Sequence, residues 1–146
     1  MDGSHELQTR SHQVRVLIVE DTVELAEIIR AAIKHMNVIV FHEVRGTTAL
    51  KTYHEVRPDL VLLDIGLPDM SGWKLLDTIK ETQTLSRRPV VCVITAYGDP
   101  ANRLMGKLQG VDSYLIKPFT LDDVRNIVQK VINGETDFGQ ETEPSA

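Results

Sequence analysis

Five short apolar runs, each followed by a segment of helical periodicity, constrain this chain more than any other feature of its sequence. The runs are Val14–Val19, residues 38–41, Leu60–Leu63, residues 90–94 and residues 114–116, and most are rich in β-branched residues. Between them apolar side chains recur three and four apart: Leu25, Ile28, Ile29, Ala32 and Ile33 over 22–35, then Ala49, Leu50 and Tyr53 over 46–56. Trp73, Leu75, Leu76 and Ile79 follow, then a segment over 100–108, and finally Val124, Ile127, Val128 and Val131 over 121–132. Continuous apolar strands alternating with amphipathic helices predict a parallel sheet covered on both faces. Crossovers in such sheets are right-handed, which leaves few topologies. The expectation is an α/β fold, a doubly wound five-stranded sheet of order 2-1-3-4-5, flavodoxin-like (βα)5.

The bulk numbers exclude several classes. Hydrophobic residues at 42% and charged residues at 25% suit a globular chain of 146 residues. No apolar run approaches the roughly 20 residues of a membrane-spanning helix, and no membrane partner is expected. Of the 21 acidic residues, Asp2, Glu6, Glu135, Asp137, Glu141 and Glu143 lie outside 14–133, against Arg10 alone of the 16 basic ones; the remaining 15 acids and 15 bases balance. A balanced interior without a basic patch predicts no direct nucleic-acid binding. Residues 1–13 read as an N-terminal tail, partly a remnant of expression, and 134–146 as a flexible acidic tail or linker. Cys92, the lone cysteine, sits inside an apolar run, which fits a reducing cytoplasm and a packing role. The five histidines show no ligand spacing.

In doubly wound sheets, sites form at the carboxyl ends of the strands beside the topological switch point. Here those ends carry Glu20-Asp21, Asp64, Thr95 and Lys117. Singly, each has an ordinary explanation: an N-cap, a turn former, a β-former, a solvated lysine. Jointly they bring three carboxylates, one hydroxyl and one ammonium to one rim. Crowded carboxylates need a cation, and an all-oxygen set suits Mg²⁺. Asp64, alone at its strand end, is placed as an acyl-phosphate nucleophile; Lys117 and Thr95 are placed to meet phosphoryl oxygens.

Val19-Glu20-Asp21, the stretch from Asp59 through Asp64 to Gly72, Ile94-Thr95-Ala96-Tyr97 and Tyr114-Leu115-Ile116-Lys117-Pro118-Phe119 resemble, in order, the four signature blocks of response regulator receiver domains. The resemblance covers residues 14–133. It implies that Asp64 accepts a phosphoryl group from the phosphohistidine of a sensor histidine kinase or phosphotransfer protein. It implies direct Mg²⁺ ligation by Asp21, Asp64 and the backbone carbonyl of Gly66, with Glu20 acting through water. Lys117 would pair with Asp64 and Thr95 would bind the phosphoryl group. Thr95 and Tyr114 would form a switch read by an effector through the fourth helix, fifth strand and fifth helix. A cis bond is implied at Lys117-Pro118. No enzyme in the usual sense is expected, only self-phosphorylation from small donors and slow self-dephosphorylation.

Some positions depart from the family pattern. Ser71 stands where many members carry Asp, as a helix cap; Ser113 and Ile127 replace charges used in one family dimer mode. Gly66 and Tyr97, two after Asp64 and Thr95, occupy variable positions that tune hydrolysis. Two other readings are kept: an aspartyl-phosphate phosphatase, disfavoured because Gly66 replaces its general acid, and a phosphorylation-independent interaction module. No effector segment is recognisable after Asn133, so the expectation is either a stand-alone relay or a chain leading to another domain.

Overall fold

The computed structural model describes residues 13–82 and 88–139. Five strands and five helices alternate: β1 (Val14–Val19), α1 (Val23–Ile33), β2 (Val38–Glu43), α2 (Gly46–Val56), β3 (Leu60–Leu63), α3 (Gly72–Thr82), β4 (Val90–Thr95), α4 (Pro100–Gln109), β5 (Ser113–Ile116) and α5 (Leu121–Ile132). All strand pairs are parallel and the order is β2-β1-β3-β4-β5. The predicted architecture is the one observed. Element ends differ by a few residues; α1 ends at Ile33 rather than His35, and β2 runs on to Glu43.

Alternation along the central strands divides the core between two faces. Val16, Ile18, Leu60, Leu62, Cys92 and Ile94 pack with Ala26, Ile29 and Ile33 of α1 and Val124, Ile127 and Val128 of α5. Leu17, Val19, Val61, Leu63 and Val91 face the other way, onto Ala49 and Tyr53 of α2 and Leu75, Leu76 and Ile79 of α3. Ile28, read as part of the inward stripe of α1, is instead 50% exposed, and Ala26 takes the buried position. Helix α4 buries little: Gly106 is its buried residue, while Leu104 and Leu108 are exposed. Residues 134–139, the part of the expected C-terminal tail that is described, fold back so that Phe138 packs on the α1–α5 face. Residues 1–12 and 140–146 of the expected tails lie outside the described residues.

Local signals fix the helix starts. Ser71 accepts the Trp73 N–H at 3.0 Å, as expected of a cap. Asp99 accepts from Asn102 ahead of Pro100 at the first turn of α4. Thr120 and Asp123 form a reciprocal capping box on α5.

The loop between β3 and α3 closes tightly. The Gly72 N–H donates to Ile65 O at 2.8 Å, and a Cβ at Gly72 would lie 2.7 Å from Ile65 Cα and 2.9 Å from Asp64 O. Both obstacles are backbone and cannot swing aside. Gly72→Ala is expected to lower unfolding free energy by roughly 1–3 kcal/mol, measured by urea denaturation against wild type.

Candidate functional site

The carboxyl ends of β1, β3, β4 and β5 carry Glu20, Asp21, Asp64, Thr95 and Lys117 to one rim, while Tyr114, also predicted, lies within β5 over α4. Glu20 follows β1, fully buried; its N–H donates to Glu43 O at 3.0 Å, which fixes the strand exit. Asp64 follows β3 with 5% exposure, its N–H bonded to Val19 O at 2.9 Å. Asp21 is exposed. Carboxylate oxygens of Glu20, Asp21 and Asp64 lie within 4.8 Å of one another. This all-oxygen cluster has the chemistry of a hard divalent cation site.

Lys117 projects back across the rim from the end of β5. Its Nζ donates to Asp64 Oδ2 at 2.7 Å and to Glu20 Oε1 at 2.9 Å. The pairing with Asp64 was expected; the second arm to Glu20 was not. Burial is the largest influence on Lys117 and works to depress its pKa, but the bonds and charges of Asp64 and Glu20 together outweigh it and the pKa is raised. Glu20 is raised too, chiefly by burial, against the opposing hydrogen bonds from Thr22 N–H and Lys117. One ammonium is thus shared between two largely buried carboxylates.

Thr95 closes β4, fully buried, and its hydroxyl accepts the Tyr97 N–H at 3.2 Å. Its carbonyl accepts the Lys117 N–H at 2.8 Å, so the two predicted phosphoryl-binding residues are joined through the backbone. The Lys117-Pro118 bond is cis. Gly66 bridges back to Ser71, and its N–H donates to Asp64 Oδ1 at 3.0 Å. A Cβ at Gly66 would lie 3.2 Å from Tyr97 Cε2 and 3.9 Å from Asp64 Oδ1. The two variable positions therefore meet, with the Tyr97 ring against Gly66 in the loop that follows the candidate acceptor.

Tyr114 leans over α4. Its hydroxyl donates to Tyr97 O at 2.6 Å, and its ring rests against Gly106, with the Arg103 guanidinium 6.0 Å from its centroid. Trp73 on α3 lies 6.5 Å from Tyr114 and donates through Nε1 to Asn102 Oδ1 at 2.9 Å. Ser113 and Ile127 are buried at 7% and 6%, where no charged pair of a dimer surface forms. Cys92 is fully buried and its thiol is pushed up to about 12, chiefly by burial, which leaves it unreactive.

Sequence reasoning missed one supporting residue. Asp69, in the β3–α3 loop, accepts from Gly46 N–H at 2.8 Å and Thr47 N–H at 3.0 Å. It caps α2 from a distant segment and pins the loop that carries Gly66. No local cap signal precedes α2, where Arg45 holds the cap position without a side-chain bond. That vacancy was the only clue in the sequence.

The profile of the response regulator receiver domain matches residues 16–129. The chain belongs to the response regulator receiver family. Receivers of this kind are signalling switches rather than enzymes in the usual sense, and they bind Mg²⁺ at an acidic pocket. The DNA-binding response regulator MtrA of Mycolicibacterium paratuberculosis is 36% identical over 105 residues, 72% of this chain and 45% of its own length. A signal receiver domain from Vibrio parahaemolyticus superposes with a TM-score of 0.77 at 29% identity, covering 84% of this chain and 92% of that one. A CheY-like receiver from Methanospirillum hungatei gives 0.76 at 23% identity over 84% and 96% of the two chains, a likeness of fold. This receiver chain spans less than half the length of the curated relatives it matches, 20–48%.

The Asp69 carboxyl is held below its usual pKa, first by the Gly46 N–H and then by the Thr47 N–H. A depressed carboxylate contributes stability that is complete above its unfolded value and fades as pH falls through its folded one. The gap in urea midpoint between wild type and Asp69→Ala is therefore expected to be constant near neutrality. It should narrow once pH falls below 3.8, the ordinary value for the group.

Proposed function

We propose that this receiver is a Mg²⁺-dependent phosphoacceptor switch in which Asp64 takes a phosphoryl group from the phosphohistidine of a sensor histidine kinase or phosphotransfer protein. The observation that carries the reading is the setting of the Asp64 carboxylate, nearly buried between the Lys117 ammonium at 2.7 Å and the carboxylates of Glu20 and Asp21. Lys117 sets one positive charge against three carboxylates, so the cluster keeps an excess of negative charge that suits a divalent cation. Asp21, Asp64 and the Gly66 carbonyl would hold the ion directly. Glu20, committed to Lys117 and to the Thr22 N–H at 3.0 Å, would act through water. When bound, Mg²⁺ offsets this charge and accepts a phosphoryl oxygen.

In the transfer an Asp64 oxygen attacks phosphorus. The O–P bond forms as the N–P bond of the phosphohistidine breaks, and the electron pair leaves with the imidazole, which takes up a proton. The acyl phosphate adds about −1.5 to −2 charges. Lys117 then exchanges its bond to Asp64 for one to a phosphoryl oxygen, and the Thr95 hydroxyl turns to donate to another. Thr95 also accepts the Tyr97 N–H, and Tyr97 O holds the Tyr114 hydroxyl, so motion at the rim reaches the surface of α4, β5 and α5. That surface is the readout for an effector, joined or separate. Residues 14–133 act as the receiver unit, in the cytoplasm, without direct contact to nucleic acid or membrane. Gly66 supplies no carboxyl to protonate a leaving group, which disfavours phosphomonoester turnover.

Wild type is expected to be labelled by acetyl phosphate only with Mg²⁺ present, and Asp64→Asn not at all. Labelling that persists in Asp64→Asn refutes the assignment. Mg²⁺ should also raise the wild-type melting temperature through binding to the folded state, and Asp21→Ala should remove most of that gain.

The Tyr97 ring shields the approach beside Gly66 and lengthens the life of the acyl phosphate by excluding water. Tyr97→Ala is expected to hydrolyse severalfold faster once labelled, followed by loss of phosphoryl mass with time.

A further inference from the structure

Helix α5 does not release the chain into solvent. Gly134, at φ 74°, donates to Val131 O at 3.0 Å, and the Glu135 N–H donates to Lys130 O at 2.9 Å. These two bonds form a Schellman motif, which turns a chain back across the helix end. The turn delivers residues 134–139 to the open edge of the sheet along β5. Phe138, the one large apolar residue among them, lands half-buried against the α1–α5 core face. A second turn follows, in which the Gly139 N–H donates to Asp137 Oδ1 at 2.9 Å, with Gly139 at φ 75°.

The seat of Phe138 adjoins the readout surface. On one side lies a cleft of about 300 Å³ bordered by Tyr114, Leu115, Ile127 and Lys130. On the other lies one of about 320 Å³ bordered by Arg88, Lys107, Val111 and Asp112, together with Thr136 and Asp137. The strap is held by one aromatic side chain between two open clefts, and the polar tie beside it is long, Lys130 Nζ to Asp137 O at 3.5 Å. Asp137 shares the border of one cleft with Arg88 and Lys107, and Lys130 borders the other, which favours docking of an acidic strap without fixing it rigidly. Such a contact opens more readily than the packed core.

We propose that residues 134–139 form a self-docking strap whose Phe138 fills the β5–α5 groove and favours the resting arrangement of the receiver. The inference rests on the phosphoacceptor reading of Asp64. In the structure Phe138 is seated while Lys117 pairs with Asp64 and the Tyr114 hydroxyl is held by Tyr97 O. Tyr114 borders the same cleft as Phe138, so its displacement reshapes one wall of the seat. Coupling of two sites is reciprocal: if loading Asp64 loosens the strap, then removing the strap eases loading by the same factor. A partner that engages the β5–α5 groove must displace Phe138 first.

The test uses the full chain as wild type, Phe138→Ala and Gly134→Val, the last blocking the left-handed turn while keeping the aromatic ring. Beryllofluoride with Mg²⁺ serves as the phosphoryl mimic, its binding read by Trp73 fluorescence, and amide hydrogen exchange reports on residues 134–139. Loading is expected to speed exchange at Phe138 and Gly139 severalfold in wild type. Both variants should bind beryllofluoride about fivefold more tightly, the low end of coupling between distinct sites. If wild type binds the mimic but exchange at 134–139 is unchanged or slower, or the variants bind no more tightly, the strap is overturned. If wild type fails to bind it, the phosphoacceptor reading itself fails, and the strap's link to loading falls with it.

Discussion

The rim depends on one ammonium held between two carboxylates. Glu20 is fully buried, and a buried carboxylate without a partner is costly enough that it protonates instead. Lys117 works against that outcome by bonding Glu20 at 2.9 Å and Asp64 at 2.7 Å from a third strand. The contact joins segments separated by 97 and 53 positions in sequence. It forms only when β1, β3 and β5 stand in their native order, so fold and site are specified together. It also leaves the ion pair poised. On the proposed phosphoacceptor reading, a phosphoryl group on Asp64 would offer Lys117 a more highly charged partner than the carboxylate it replaces.

What the sequence made legible was the part encoded locally. Each strand announces itself by an apolar run, and Glu20, Asp64, Thr95 and Lys117 are each the first polar side chain after one, with Asp21 next to Glu20. Asp64 after Leu60–Leu63 is the clearest case, because the strand is buried at every position. Once parallel order is granted, strand ends must share an edge, and the site follows. Arrangements that depend on one loop meeting another carry no such mark. Asp69 caps α2 from 22 and 23 residues away, and nothing near Gly46 shows it. The meeting of Tyr97 with Gly66 was equally hidden, because each residue only reads as a loop position until β3 and β4 are side by side. Ile28 fits the helical period yet is exposed, since the α1 stripe is narrower than its apolar count suggests.

The tail illustrates the same limit from the other side. Its composition, acidic and rich in Gly, Thr and Glu, reads as linker. One phenylalanine and one glycine change that reading for residues 134–139. Gly134 supplies a left-handed turn that other residues adopt only with strain, and Phe138 supplies apolar area to place against β5. Neither signal exceeds the polar background in a window average, yet together they decide where six residues go.

Helix α4 is the natural place for a change at the rim to become a change at the surface. It is the helix with the fewest buried residues, Gly106 alone, which lies beneath the Tyr114 ring. A Cβ at Gly106 would sit 3.0 Å from Tyr114 Cδ2, so the ring lies as close to the helix backbone as packing allows. The other holds on the helix include polar ones: Trp73 Nε1 to Asn102 Oδ1 at 2.9 Å, Arg103 Nε to Gly98 O at 2.8 Å, and, at its last turn, Gln109 bonded to Asp77 and Lys80 of α3 at 2.9 Å each. Helices anchored by a deep apolar stripe move only at the cost of the core. One anchored by an aromatic ring and a few hydrogen bonds has alternatives of similar energy. Tyr114 is tied through Tyr97 to Thr95, so the helix with the fewest buried residues is the one that the Thr95 hydroxyl at the rim can reach. Under the proposed phosphoacceptor role of Asp64, that pairing of a rigid rim with a loosely held reporter would let a charge change at the rim alter the exposed surface without unfolding the sheet beneath it.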